Sequence, residues 1–152
     1  MESSKRTAKL VLHLVLAFAL LGGCGPQEGA GGPIRYEGFA VLEPTGGGLE
    51  AGDLTVTAKP DDVYDAVTVT VLDVPVPEGL PEGLVPVGAA VDIQVDQPER
   101  LNGAFRIEMR YDDSLVEDEE RLLVAHHDEG FGYEAVTMLG RDPEADLVVF
   151  ES

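Results

Sequence analysis

Apolar residues recur at every second position through most of this chain, and that spacing makes strands its main building element. Residues 104–111 place Phe105, Ile107, Met109 and Tyr111 on one face and Arg106, Glu108 and Arg110 on the other. This is the signature of a half-buried strand with one wet face. Leu54-Thr55-Val56-Thr57-Ala58 and Val67-Thr68-Val69-Thr70-Val71 alternate in the same way and add β-branched residues, which suit a pleated surface. Further strands are predicted over residues 36–42, 87–95, 121–127, 133–139 and 146–151. Between them lie Pro44-Thr45-Gly46-Gly47-Gly48, Lys59-Pro60-Asp61-Asp62, Asp128-Glu129-Gly130 and Asp142-Pro143-Glu144, all strong turn formers. About eight short strands at this spacing predict an all-β sandwich. One short helix is expected over residues 114–121, capped by Ser114 with Glu117 three positions on.

The N-terminus follows a different logic. Lys5, Arg6 and Lys9 precede a run from Leu10 to Leu21 that only His13 interrupts, and small residues follow. A basic start, a short apolar stretch and small residues in that order form a secretory signal, expected to be helical. The run is too short to span a bilayer, which takes roughly 20 apolar residues. It ends in Leu21-Gly22-Gly23-Cys24, and Cys24 is the only cysteine of the chain. A lone cysteine in an exported protein is a free thiol, an intermolecular partner or a modified residue. This tetrapeptide resembles the lipobox of bacterial lipoproteins. The resemblance implies cleavage between Gly23 and Cys24, with fatty acyl chains of the palmitate kind on Cys24. Gly25 stands where an Asp would signal inner-membrane retention, which points to the outer membrane of a Gram-negative cell.

Three segments are therefore expected: a signal peptide over 1–23, a lipidated cysteine with a Gly/Pro-rich tether over 24–34, and one acidic domain over 35–152. The tether composition stays flexible and buries nothing. Loss of residues 1–23 leaves seven Lys and Arg against 28 Asp and Glu, a net charge of −21. Such a surface repels nucleic acid and keeps the domain soluble.

Pro77-Glu78-Gly79-Leu80 is repeated at once as Pro81-Glu82-Gly83-Leu84. Proline and glycine stop a strand here, so the expectation is an ordered connection crossing between sheets, with its leucines against the core. The segments that follow are GLPEGLVPVGAAVDIQVD, FRIEMRYDDS, RLLVAHHDEGFGYEAV and DPEADLVVFES. In that order they resemble a bacterial β-sandwich module similar to the domains of netrin receptors, ankyrins and tight-junction scaffold proteins. The resemblance covers residues 79–152. It implies an immunoglobulin-like sandwich that serves as a structural or interaction module. Such modules carry a Trp near the position of Tyr133, which this chain lacks, and run on beyond the final strand. Residues 146–151 are accordingly expected at a frayed edge of a domain that continues past Ser152.

The chain offers little for catalysis. Residues 24–152 contain two serines, Ser114 and Ser152, neither in a G-x-S-x-G setting, and two histidines, His126 and His127. Neighbouring strand residues point to opposite faces, so the two histidines should not share a ligand. Paired carboxylates for glycoside hydrolysis would need an aromatic cradle, and there is no Trp. Calcium is the one ligand the composition suggests, since it takes six to eight oxygens from irregular loops. Its candidate ligands are Asp61, Asp62 and Asp65 in one turn and Asp112, Asp113, Glu117 and Asp118 in another. Neither segment has the spacing of a known calcium loop, and solvated acidic turns are the simpler reading.

The sequence thus predicts a membrane-anchored surface lipoprotein whose sandwich is a non-enzymatic interaction or spacer module. It would be held to the membrane through Cys24 and would meet a protein or surface partner. The rival reading is the front β-domain of a longer exported hydrolase of the lipase or peptidase class.

Overall fold

A computed structural model describes residues 10–19 and 35–151. It is an all-β sandwich of eleven described strands: β1 (Leu10–Ala19), β2 (Gly38–Leu42), β3 (Gly47–Ala51), β4 (Leu54–Ala58), β5 (Val67–Val74), β6 (Leu84–Val95), β7 (Arg106–Arg110), β8 (Leu122–Asp128), β9 (Gly132–Val136), β10 (Met138–Asp142) and β11 (Leu147–Glu151). Six of them form one sheet in the order β2-β5-β6-β1-β8-β9, and five form the other in the order β10-β11-β7-β4-β3. Every strand pairing is antiparallel.

The alternating segments bury the faces their spacing predicts. In β4, Leu54, Val56 and Ala58 are buried while Thr55 and Thr57 are half-buried. In β7, Ile107 and Met109 are buried between Arg106 and Arg110, which are exposed. Val67, Val69 and Val71 of β5 and Val91, Ile93 and Val95 of β6 face them from the other sheet, in one continuous core with Val148 and Phe150. Packing of two apolar sheet faces is what holds such a domain together.

The chain changes sheets between β2 and β3. Gly46 N donates to Glu43 O at 2.9 Å, closing a tight turn, and Gly46 has φ +90°. The segment read as a turn over residues 44–48 therefore runs straight into a strand, because Leu49 and Ala51 have buried places to fill. Residues 133–139 are not one strand but parts of β9 and β10, which belong to different sheets.

Four further expectations are corrected. The short helix over 114–121 is replaced by two 3-10 turns, Asp113–Leu115 and Glu119–Arg121, and the cap is Asp112 rather than Ser114. Asp112 Oδ1 accepts from Ser114 N at 3.0 Å, an Asx-type bond that competes with helix formation. The Pro-Glu-Gly-Leu repeat joins β5 to β6, which are neighbours in one sheet, so it does not cross between sheets. Residues 146–151 are not at a frayed edge, since β11 pairs with β10 on one side and β7 on the other. Of the four apolar residues Leu147 to Phe150, Val148 and Phe150 face the core, while Leu147 and Val149 are half-buried on the outer face of the sheet.

The last difference concerns the apolar leader. A helix is expected there, yet Leu10–Ala19 is strand β1, between β6 and β8. Away from a bilayer, the two facing strand edges offer its backbone the hydrogen bonds that a helix would otherwise supply. The rest of the 1–34 segment, including Gly23, Cys24 and the tether, lies outside the described residues.

Candidate functional site

The feature of the fold with the clearest capacity to bind is the strand position between β6 and β8. Both flanking strands are apolar on both faces over part of their length. In β6, Val87, Val91 and Ile93 join the core, while Ala90 is buried on the opposite, outer face. In β8, Leu122 and Val124 join the core and Leu123 joins the outer cluster. A strand of this kind needs a neighbour along its edges and cover on both faces.

That cover is provided outside by the segment joining β5 to β6. Val74, Val76, Leu80 and Leu84 gather with Ala90, Leu123 and Tyr133 in a second, smaller apolar cluster. The Tyr133 hydroxyl donates to the carbonyl of Pro77, tying β9 to the connection. Burial pushes the pKa of that hydroxyl up. The leucines of the repeat are thus tucked in as expected, but against the outer face of the six-stranded sheet.

One buried charged side chain stands among the described residues, Asp92 of β6 at 6% exposure. Gln94 Nε2 donates to its Oδ2. The backbone register places the position of His13 opposite Asp92 on one side and opposite His127 on the other. His127 lies beside Tyr133, with ring centroids 4.7 Å apart and a 56° tilt. Asp92 and His127 therefore flank the same register position of β1. His126, the other histidine of the domain, pairs with Glu134 one position earlier, and strand alternation sends it to the opposite face.

The calcium candidates are spent on local structure. Asp62 Oδ2 accepts from Lys59 N at 2.7 Å, and Asp62 O accepts from Asn102 N and Gly103 N. Asp65 pairs with Arg100 at 3.0 Å. Asp61 sits at φ +69° in the turn before them. In the second turn Asp112 Oδ1 takes bonds from Ser114 N and Oγ, and Asp118 Oδ1 accepts from Glu120 N at 3.0 Å. Asp113 opens the first 3-10 turn and Glu117 is exposed. Among the described residues, no three His, Cys, Asp or Glu side chains converge in a way that could hold a metal ion. The structure does not bring either predicted set together.

Two other surfaces stand out. On the outer face of the six-stranded sheet, Phe39 is 75% and Val41 58% exposed on edge strand β2, with Leu72 close by on β5. On the outer face of the other sheet, an open depression of about 280 Å³ is lined by Arg106, Glu108, Leu139, Arg141, Asp142 and Val149. Arg106 there pairs with Glu108 at 3.0 Å. Sequence reasoning missed the exposed pair on β2, although Phe39-Ala40-Val41-Leu42 carries the signal. Four consecutive apolar residues in a strand put apolar groups on both faces.

Carboxylates also clamp strand ends. Asp96, just past β6, accepts from Thr68 N at 2.8 Å while Asp96 N donates to Thr68 O at 3.1 Å. Burial alone would raise its pKa, but the bonds from Thr68 and Gln97 outweigh that and hold the carboxyl below its ordinary value.

Comparison with known proteins found no matching family model, no curated relative and no matching solved structure.

Proposed function

We propose that this chain is an exported lipoprotein, held in the outer membrane by acyl chains on Cys24, whose sandwich is a non-enzymatic interaction or spacer module. One observation carries the reading: the single cysteine stands directly behind a basic start and a short apolar run, in Leu21-Gly22-Gly23-Cys24. Several acyl chains anchor durably because each buried CH₂ contributes about 0.8 kcal/mol. Residues 25–33, with four glycines and two prolines, would serve as the tether. A net charge of −21 after cleavage favours a soluble domain held clear of anionic lipid. Kinship to the immunoglobulin-like modules of netrin receptors, ankyrins and tight-junction scaffolds rests on the order of the segments over residues 79–152, and it favours partner binding over catalysis.

The test is metabolic labelling with a fatty acid in a Gram-negative host. Label should enter the wild-type protein, which should fractionate with the outer membrane, and Cys24→Ala should abolish both. A wild-type protein that never takes up label overturns the anchoring.

A further inference from the structure

The strand that completes the larger sheet belongs to the segment that lipoprotein processing removes. β1 is the only strand lying between β6 and β8 in the sheet order. It pairs with β6 from Leu10 opposite Val95 to Ala19 opposite Leu84. With β8 it pairs from His13 opposite His127 to Phe18 opposite Leu122. We propose that cleavage before Cys24 leaves an acceptor slot between β6 and β8, filled by an extended apolar strand of about ten residues from another exported polypeptide. This rests on the lipoprotein reading above.

Three observations carry it. First, an empty slot is costly. Its two edges would present rows of unpaired backbone groups between two apolar layers, the sandwich core and the cluster under the Pro-Glu-Gly-Leu repeat. Buried backbone groups without partners are strongly disfavoured.

Second, the slot cannot close cheaply. β6 and β8 are each antiparallel to β1, hence parallel to each other, about two strand spacings or roughly 9.6 Å apart. Bringing them together would carry Leu122 and Val124 away from their places in the core and would part Leu123 and Tyr133 from Ala90.

Third, the slot has a chemical preference. His13 is the only polar residue in Leu10–Ala19, and its register position faces Asp92, the one buried charged side chain among the described residues. The occupant therefore has apolar residues throughout and a basic or neutral polar residue at that register. A second copy of this chain is a poor donor. Each processed copy has lost the same segment, and its remaining apolar strands are already paired within its own sandwich. Strand addition of this kind draws affinity from main-chain bonds and selectivity from side-chain pockets.

The experiment uses the processed, detergent-solubilised lipoprotein and a synthetic peptide of residues 10–19 with solubilising lysines at its ends. Mass spectrometry first establishes that residues 1–23 are gone. The peptide should bind one to one and saturably. It should raise the melting temperature, or restore a cooperative transition if the processed protein has none, and slow amide exchange in β6 and β8. A peptide with Pro at two alternate positions should bind at least tenfold more weakly, because it cannot complete the ladder. One carrying His13→Asp should also lose at least tenfold, since it sets a carboxylate opposite Asp92. A processed protein of the correct mass that ignores the peptide, binds the Pro peptide equally well, or already protects both edges alone or as a dimer overturns the slot while leaving the anchor intact. Retention of residues 1–23 on the exported chain overturns the lipoprotein reading, and the emptied slot with it.

Discussion

The phenol of Tyr36 donates to the carbonyl of Arg110 at 2.7 Å, linking the segment that enters the six-stranded sheet to β7 of the five-stranded one. The same residue is fully buried, and its backbone N–H donates to Asp73 Oδ1 at 2.7 Å. Arg110 N in turn donates to Asp53 O at 2.8 Å. Tyr36 therefore acts as a cross-sheet clamp just ahead of β2.

Tyr36→Phe should leave the Arg110 carbonyl without its donor and lower stability by about 1–2 kcal/mol, measured by chemical denaturation. It should also change the alkaline limb of the stability profile. Burial first, then the charges of Asp53 and Asp73, push the Tyr36 pKa well above its ordinary value. An unfolded tyrosine ionises near pH ~10, so above that pH the unfolded state binds fewer protons than the native one. Stability falls there as pH rises. The wild type should lose stability more steeply between about pH 10 and 11 than Tyr36→Phe does. Parallel profiles would show that the clamp does not titrate as argued.

Phe150 of β11 is 0% exposed, in the core with Val148 and Ile107. Phe150→Ala removes a large buried ring from a strand paired on both sides, and should cost about 3–5 kcal/mol by urea melts. Leu139→Ala, on exposed β10, should cost less than about 1 kcal/mol. Equal losses at the two positions would contradict the interior placement of β11.

Gly52 turns the β3–β4 hairpin at φ +64°, and a Cβ added there would meet the Arg35 carbonyl oxygen at 2.3 Å. That oxygen already accepts from Asp53 N at 3.0 Å. Gly52→Ala should cost more than about 1 kcal/mol, combining backbone strain with a clash against main chain. Gly79→Ala shares a positive φ but has no atom within 4 Å. Its smaller cost in the same denaturation assay isolates the clash.

Millimolar calcium should raise the melting temperature by only a few degrees, and magnesium should do the same. Either ion screens the carboxylate excess, while the side chains of Asp62, Asp65 and Asp112 are already held by backbone or ion-pair partners. A tight stoichiometric calcium site by calorimetry would contradict this.

The acidic turns show where reading residues in order loses information. Asp61, Asp62 and Asp65 are close in sequence, as calcium ligands often are, yet their uses come from elsewhere in the chain. Asn102 and Gly103 dock on the carbonyl of Asp62, and Arg100 reaches Asp65. The slot was less legible still. The apolar run of residues 10–21 has the composition of an export signal, and nothing local in it specifies β6 and β8 as partners.

By itself the sequence determined that the domain is built of strands and which faces of them turn inward. Val56, Ile107 and Val69 lie on the faces their alternation assigns, because that pattern is local and the period of a strand is two. It also marked most of the turns. Only the tertiary structure decided which strands meet: that β11 lies inside its sheet, that the repeat returns to the same sheet, that residues 47–51 form a strand, and that Leu10–Ala19 occupies the gap between β6 and β8. The physical reason is that every strand offers the same backbone donors and acceptors. Partner choice is therefore settled by non-local packing of side chains on both faces, which no short stretch of sequence contains.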